Sequence, residues 1–211
     1  ICVTVHAQTW QQVPIRTQAQ KTANMTGGEG MQQIIAIAYA PSNTNTAYFI
    51  TDTSRVWKTT NANATNPIWT PKHNGLIASG GYSIAVDPND ENIVLVNANR
   101  MVNPDYTDAA KGIYRTTDGG DNWTKVRTAV NGYNPSSGVR GGRNIIFVTS
   151  SIVYSGSQGE GLFKSSDGGA TWSAVSITQL NNDYIYDIRK HPDNNNILFV
   201  SDYSDGKLYR I

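Results

Sequence analysis

An eight-residue pattern occurs twice in this chain. Thr116-Thr117-Asp118-Gly119-Gly120-Asp121-Asn122-Trp123 and Ser165-Ser166-Asp167-Gly168-Gly169-Ala170-Thr171-Trp172 both read Ser/Thr-x-Asp-x-Gly-x-Asn/Thr-Trp. Each follows a short run that ends in an aromatic and a basic residue, Gly112-Ile113-Tyr114-Arg115 and Gly161-Leu162-Phe163-Lys164. Val56-Trp57-Lys58-Thr59-Thr60-Asn61 begins a third copy, whose tryptophan is delayed to Trp69. Gly206-Lys207-Leu208-Tyr209-Arg210-Ile211 resembles the start of a fourth. A fixed internal period means that one supersecondary unit is stacked on copies of itself.

A second element recurs upstream of each pattern. The segments Ile35 to Ile50, Ser83 to Val96 and Tyr186 to Val200 each read as a strand, a turn rich in Pro, Asn and Asp, and a second strand. Residues Arg143 to Val153 are a shortened version. Trp69, Trp123 and Trp172 lie about 50 residues apart, the length of a four-stranded propeller blade. The expected fold is therefore all-β, a β-propeller of four-stranded antiparallel blades. About four blades are expected, near residues 34–70, 82–126, 143–175 and 184–211. The last lacks its fourth strand. Thr9-Trp10-Gln11-Gln12-Val13 resembles the strand around Trp123 and could supply it (9–13), closing a ring. The alternative, preferred here, is that these blades are the N-terminal part of a larger propeller.

Composition supports this reading. Charged residues are only 16 %, against roughly 25 % in an average domain. Asn and Thr number about 20 each, with 19 Gly. Thr, Val, Ile and Tyr between such turn formers favour many short strands over helices. A net charge of +1 provides no field for nucleic acid, and no apolar run approaches a membrane span. Residues 1–7, Ile1 to Ala7, read as the end of a secretory signal cut before Gln8, leaving 8–211 as the propeller. Loss of Cys2, the single cysteine, would leave a cysteine-free chain suited to an extracellular or periplasmic location.

The two patterns resemble the Asp-box, or BNR, repeat of β-propellers. That family includes xyloglucan-cleaving glycoside hydrolases, sialidases, sortilin-type receptors and a photosystem assembly factor. The resemblance covers nearly all of residues 30 to 211. It implies a structural role for Asp118, Gly120, Trp123, Asp167, Gly169 and Trp172. Each Asp would hold turn amides, each Gly would take a positive φ, and each Trp would pack between sheets.

Strands that alternate in direction put the Pro/Asn turns and the boxes on one face of a propeller. The longer connections fall on the other, where binding residues collect on a rigid scaffold. Carboxylates on those connections are Glu29, Asp52, Asp105, Asp108, Glu160, Asp183, Asp202 and Asp205. Tyr82, Tyr106, Tyr133, Tyr184 and Tyr203 lie on the same connections. Sugars stack on ring faces, and two carboxyls act across a glycosidic bond. Tyr82, Tyr106, Tyr133 and Tyr184 are thus the expected substrate-binding residues. The segment Phe49 to Lys58 resembles the first blade of xyloglucanase-type hydrolases, which implies a catalytic acid or base role for Asp52. There a Gly-Gly turn follows the Asp, where this chain has Ser54-Arg55. The expected activity is polysaccharide binding, with glycoside hydrolysis implied by the resemblance. The alternative is a non-catalytic propeller that binds protein or glycan. A sialidase-like hydrolase is a third reading, with Arg16, Arg55, Arg100 and Arg140 or Arg143 as candidate carboxylate ligands. The histidines His6, His73 and His191 lack metal spacing, so neither metal nor cofactor is expected.

Overall fold

A computed structural model describes residues 18–23, 33–52, 56–78, 80–98, 110–128, 144–157, 160–176, 185–203 and 206–211. Residues 1–17, 24–32, Tyr106, Tyr133 and Tyr184 lie outside these. The expectations for the signal remnant, the 9–13 strand and those three tyrosines therefore fall outside the described residues.

The architecture is all-β, four antiparallel sheets arranged as the blades of a propeller. Blade 1 is β1 (Ile34–Ala40), β2 (Asn43–Thr51), β3 (Val56–Thr59) and β4 (Thr70–Pro71). In blade 2 the strands are β5 (Ser83–Val86), β6 (Val94–Ala98), β7 (Gly112–Thr116) and β8 (Thr124–Thr128). Blade 3 comprises β9 (Ile145–Phe147), β10 (Val153–Ser157), β11 (Gly161–Ser165) and β12 (Ser173–Val175). Blade 4 has three strands, β13 (Ile185–His191), β14 (Asn194–Asp202) and β15 (Leu208–Arg210). The helix α1 (Gln18–Thr22) stands outside the blades.

Within each sheet the strands lie in sequence order, each antiparallel to its neighbour. Burial follows position within the blade. The second strand of blade 2, Val94–Ala98, is buried at every residue because sheets cover both of its faces. Its outermost strand, Thr124–Thr128, is exposed at both ends.

One contact repeats from blade to blade. Val56, near the start of β3, shares a core cluster with Ile84 of the next blade. Ile113 of β7 does the same with Ile145, and Leu162 of β11 with Ile188. These are equivalent positions by register. Ile84 faces Val96, Ile145 faces Ser155 and Ile188 faces Val200 across the first two strands of their blades. A β-branched or Leu side chain from the third strand of one blade thus shares a buried cluster with an Ile from the first strand of the next. Burying a pair of this kind is worth about 1.5–3 kcal/mol per side chain.

Candidate functional site

The two boxes form identical turns. Thr116 Oγ1 donates to Asp118 Oδ1 at 2.7 Å, and the Asn122 amide donates to the same oxygen at 2.9 Å. Asn122 Nδ2 donates to Asp118 Oδ2 at 2.8 Å. In the other box Ser165 Oγ, the Thr171 amide and Thr171 Oγ1 hold Asp167 in the same way, at 2.7, 2.9 and 2.6 Å. The side chain and amide of Asn122, then Thr116, hold the Asp118 carboxyl down at about 2. Thr171 and Ser165 do so for Asp167, also at about 2. Gly120 and Gly169 take φ of 92° and 87°. Their amides donate to Thr116 Oγ1 and Ser165 Oγ. No L side chain adopts such a turn without strain.

Each box also docks on the preceding hairpin of its own blade. Gly119 N donates to Asn92 O and Gly168 N to Ser151 O, while Ala62 N donates to Asn45 O at the degenerate first copy. Trp123 is 4 % exposed, and its Nε1 donates to Lys72 O of blade 1 at 3.0 Å. Arg115 of blade 2 reaches Gly168 O of the next box at 3.0 Å. The boxes therefore bolt blade to blade. In the degenerate copy the Trp69 ring packs against Phe49 instead, centroids 4.7 Å apart and planes inclined by 55°.

At the matching place in blade 4, Ile211 pairs with Leu198, as Thr116 pairs with Val94 and Ser165 with Val153. Ile211 has no hydroxyl for the box role. A cleft of about 270 Å³ lies there, lined by Tyr154, Lys164, Asn195, Asn196, Leu198 and Ile211 among others.

On the opposite face the structure departs from the surface groove that the sequence suggests. Asp52 is 1 % exposed, and its Oδ1 accepts the Gln33 amide at 3.2 Å. The Asp52 amide donates back to Gln33 O at 3.1 Å. Gly80 lies so close to the Asp52 carbonyl that any Cβ there would overlap it. This carboxylate ties strand ends together inside the molecule. Tyr82 is 4 % exposed, with its amide on Asn97 O. Its ring packs inside because the Gly80-Gly81 backbone presses blade 1 against blade 2, so it offers no face to solvent. Asp202 is likewise buried, at 3 %. Glu160 accepts from Arg127 and from Ser157, both at 2.7 Å. The Arg127 guanidinium lies 3.5 Å over the Phe163 ring.

On this face the described tyrosines that reach solvent are Tyr186 and Tyr203, at 39 % and 58 %. Their rings are 6.1 Å apart and inclined by 32°. Tyr203 follows β14, on a connection as the sequence pattern places it. The same pattern puts Tyr186 within a strand. The signal that finds it is alternation: it stands next to Ile185, which is buried, and so faces the other way. Among the described residues no group of three or more His, Cys, Asp or Glu gathers to hold a metal, and no helix is long and apolar enough to cross a membrane.

The fold and its boxes define a BNR-type β-propeller. The family model "Sortilin, neurotensin receptor 3" (Sortilin-Vps10) matches residues 6–151, more than half of the sequence. The chain belongs to that family. It is also 29 % identical over 176 residues to the xyloglucanase of Hypocrea jecorina, a match covering 79 % of this chain and 20 % of that protein. Xyloglucanase Xgh74A of Acetivibrio thermocellus is 37 % identical over 111 residues, covering 51 % of this chain and 13 % of its own length. The GH74 xyloglucanase structure from Xanthomonas campestris superposes with a TM-score of 0.66 at 16 % identity, over 87 % of this chain and 29 % of that one. The chain thus spans about a fifth of the length of the first of these relatives.

Proposed function

We propose that the chain is a polysaccharide-binding propeller segment of a β-glucan-active protein, with glycan held on the face opposite the boxes. The observation that carries this reading is the exposed Tyr186–Tyr203 pair on that face. Two rings in this arrangement offer the apolar surface on which pyranose rings stack. Asp187, Arg189 and Ser201 beside them bring polar partners for sugar hydroxyls, with Arg189 already joined to Asp187 at 2.9 Å. The xyloglucanase relatives supply the ligand class. Secretion fits such a substrate and is part of the same proposal.

Hydrolysis needs two carboxyl groups in reach of one glycosidic oxygen. A general acid must lie within hydrogen-bond distance of the atom it serves. Asp52, closed off by Gly80 and engaged with Gln33, is assigned here to holding strand ends rather than to acid–base work. The test is binding of xyloglucan oligosaccharides to the purified chain by isothermal titration calorimetry. Saturable binding that falls at least tenfold in Tyr203→Ala, with Asp52→Asn binding as wild type, supports the reading. Absence of binding to xyloglucan and to other β-glucans sinks it. A second reading follows from the family matched. Its description names a neurotensin receptor, and a propeller face that takes a protein ligand but no glycan would establish that reading instead.

A further inference from the structure

Between blade 1 and blade 2 the chain makes a tight turn at Asn74-Gly75. Leu76 N donates to His73 O at 3.0 Å, and Gly75 takes a φ of 81°, as the third position of a type II turn requires. Asn74 and Gly75 are both exposed. Among the described residues the Gly75 amide donates to no acceptor. An open cleft of about 370 Å³, lined by Lys72, Asn74 and Asp121 among others, gives the turn water.

This turn is also a latch. Asn74 Nδ2 donates to Asn122 Oδ1 at 2.7 Å, and Trp123 N donates to Asn74 O at 2.9 Å. Asn122 donates in turn to Asp118 Oδ2, so the Asn74 side-chain amide ties the box of blade 2 to blade 1. Asp118-Gly119 and Asp167-Gly168 have the same order of residues but a different setting. The Gly119 and Gly168 amides are occupied, on Asn92 O at 3.0 Å and Ser151 O at 2.9 Å. Their aspartates are held by donors on both oxygens. An ionised carboxylate is also a poorer electrophile than a neutral carboxamide.

We propose that Asn74 is a site of spontaneous deamidation, and that its conversion opens the latch between blades 1 and 2. The Gly75 nitrogen attacks Asn74 Cγ. The new N–Cγ bond closes a succinimide ring, and the side-chain nitrogen leaves as ammonia with the proton lost from the Gly75 amide. Water then opens the ring. Cleavage of the new bond gives aspartate, and cleavage of the original peptide bond gives isoaspartate, which lengthens the main chain by one methylene. Glycine puts no Cβ in the path of attack, and Asn is among the thermolabile residues. Either product removes the Asn74 Nδ2 donor and sets a carboxylate against Asn122 Oδ1, acceptor against acceptor. The longer main chain also disturbs a close fit, since a Cβ on Gly75 would stand 2.3 Å from Trp123 O. The proposal does not depend on the glycan reading.

The experiment is incubation of the 211-residue chain in mildly alkaline buffer at physiological temperature. Peptide mapping by mass spectrometry and labelling by isoaspartyl methyltransferase read each site separately, including Asn131-Gly132, which lies outside the described residues. Asn74 is expected to convert to both products. With a single exposed hydrogen bond to break, its rate should be no more than about tenfold below that of a synthetic peptide of residues 71–78. Asp118 and Asp167 are expected to stay unlabelled. Asn74→Asp, made directly, is expected to unfold at a lower urea midpoint than wild type. The incubated wild type should show the same fall, and incubated Asn74→Gln should keep its starting midpoint. A chain in which Asn74 persists while the peptide converts overturns the proposal. So does a converted chain, or Asn74→Asp, that unfolds at the wild-type midpoint, and so does isoaspartate forming at Asp118 or Asp167 as fast as at Asn74.

Discussion

Asp167 shows how much one carboxylate holds in a turn of this kind. Three donors converge on it, and all come from within four residues. Asp167→Ala leaves these donors to water and is expected to cost about 1–2 kcal/mol, measured by urea unfolding. The pH response has a definite sign. The folded-state value of about 2 lies below the ordinary 3.8, so the contribution is complete above about pH 4 and fades as pH falls towards 2. Thermal melts of Asp118→Asn and Asp167→Asn should therefore lose less stability between pH 4 and pH 2 than wild type does. A wild-type acid limb in both variants would refute this. Gly169 adds a steric case. Its φ is 87°, and a Cβ there would stand 2.6 Å from Leu95 Cδ1 of the neighbouring blade. Gly169→Ala is expected to destabilise by more than about 1 kcal/mol, through both strain and overlap.

Among the elements, the box hairpins differ in how deeply they bind the next sheet. Trp123 is 4 % exposed within the largest core cluster and donates to Lys72 O in blade 1. Trp172 is only partly buried, and its Nε1 stays within its own turn, on Gly169 O. Trp123→Ala is expected to cost about 3–5 kcal/mol. Trp172→Ala should cost clearly less in the same denaturant titration. Equal losses would mean that the tryptophans act through their own turns and not through the blade junction. Lys72 and Asp121 add an exposed ion pair across that junction, of little weight beside the indole.

For the whole molecule, stability should be graded around the array. Blade 2 lies between two neighbours, and its β6 is buried throughout. Among the described residues β15 is the edge strand of blade 4, and Leu208 is exposed. Hydrogen exchange is expected to be slowest in β6 and at least tenfold faster in the edge strand β15. Uniform protection would show that the four blades unfold as one unit whatever lies at their ends.

Box positions, blade period and sheet class were legible in the residues because each is set locally. A hydroxyl, a carboxylate and a positive-φ glycine close a turn within four residues, and strand alternation needs only nearest neighbours. The candidate site was less legible. Asp52 and Tyr82 stand on connections in the sequence, yet the approach of Gly80 and Gly81 to blade 1 buries both. Tyr186 reads as one more strand residue, yet it is turned outward beside Tyr203. Ile37 and Ile84 are the same residue type at the same register, and only one is covered. What the sequence by itself determined is the repeated blade and its box. Which of the equivalent side chains are buried was decided by the tertiary structure alone, because burial depends on whether another sheet stands opposite, and no local pattern encodes that.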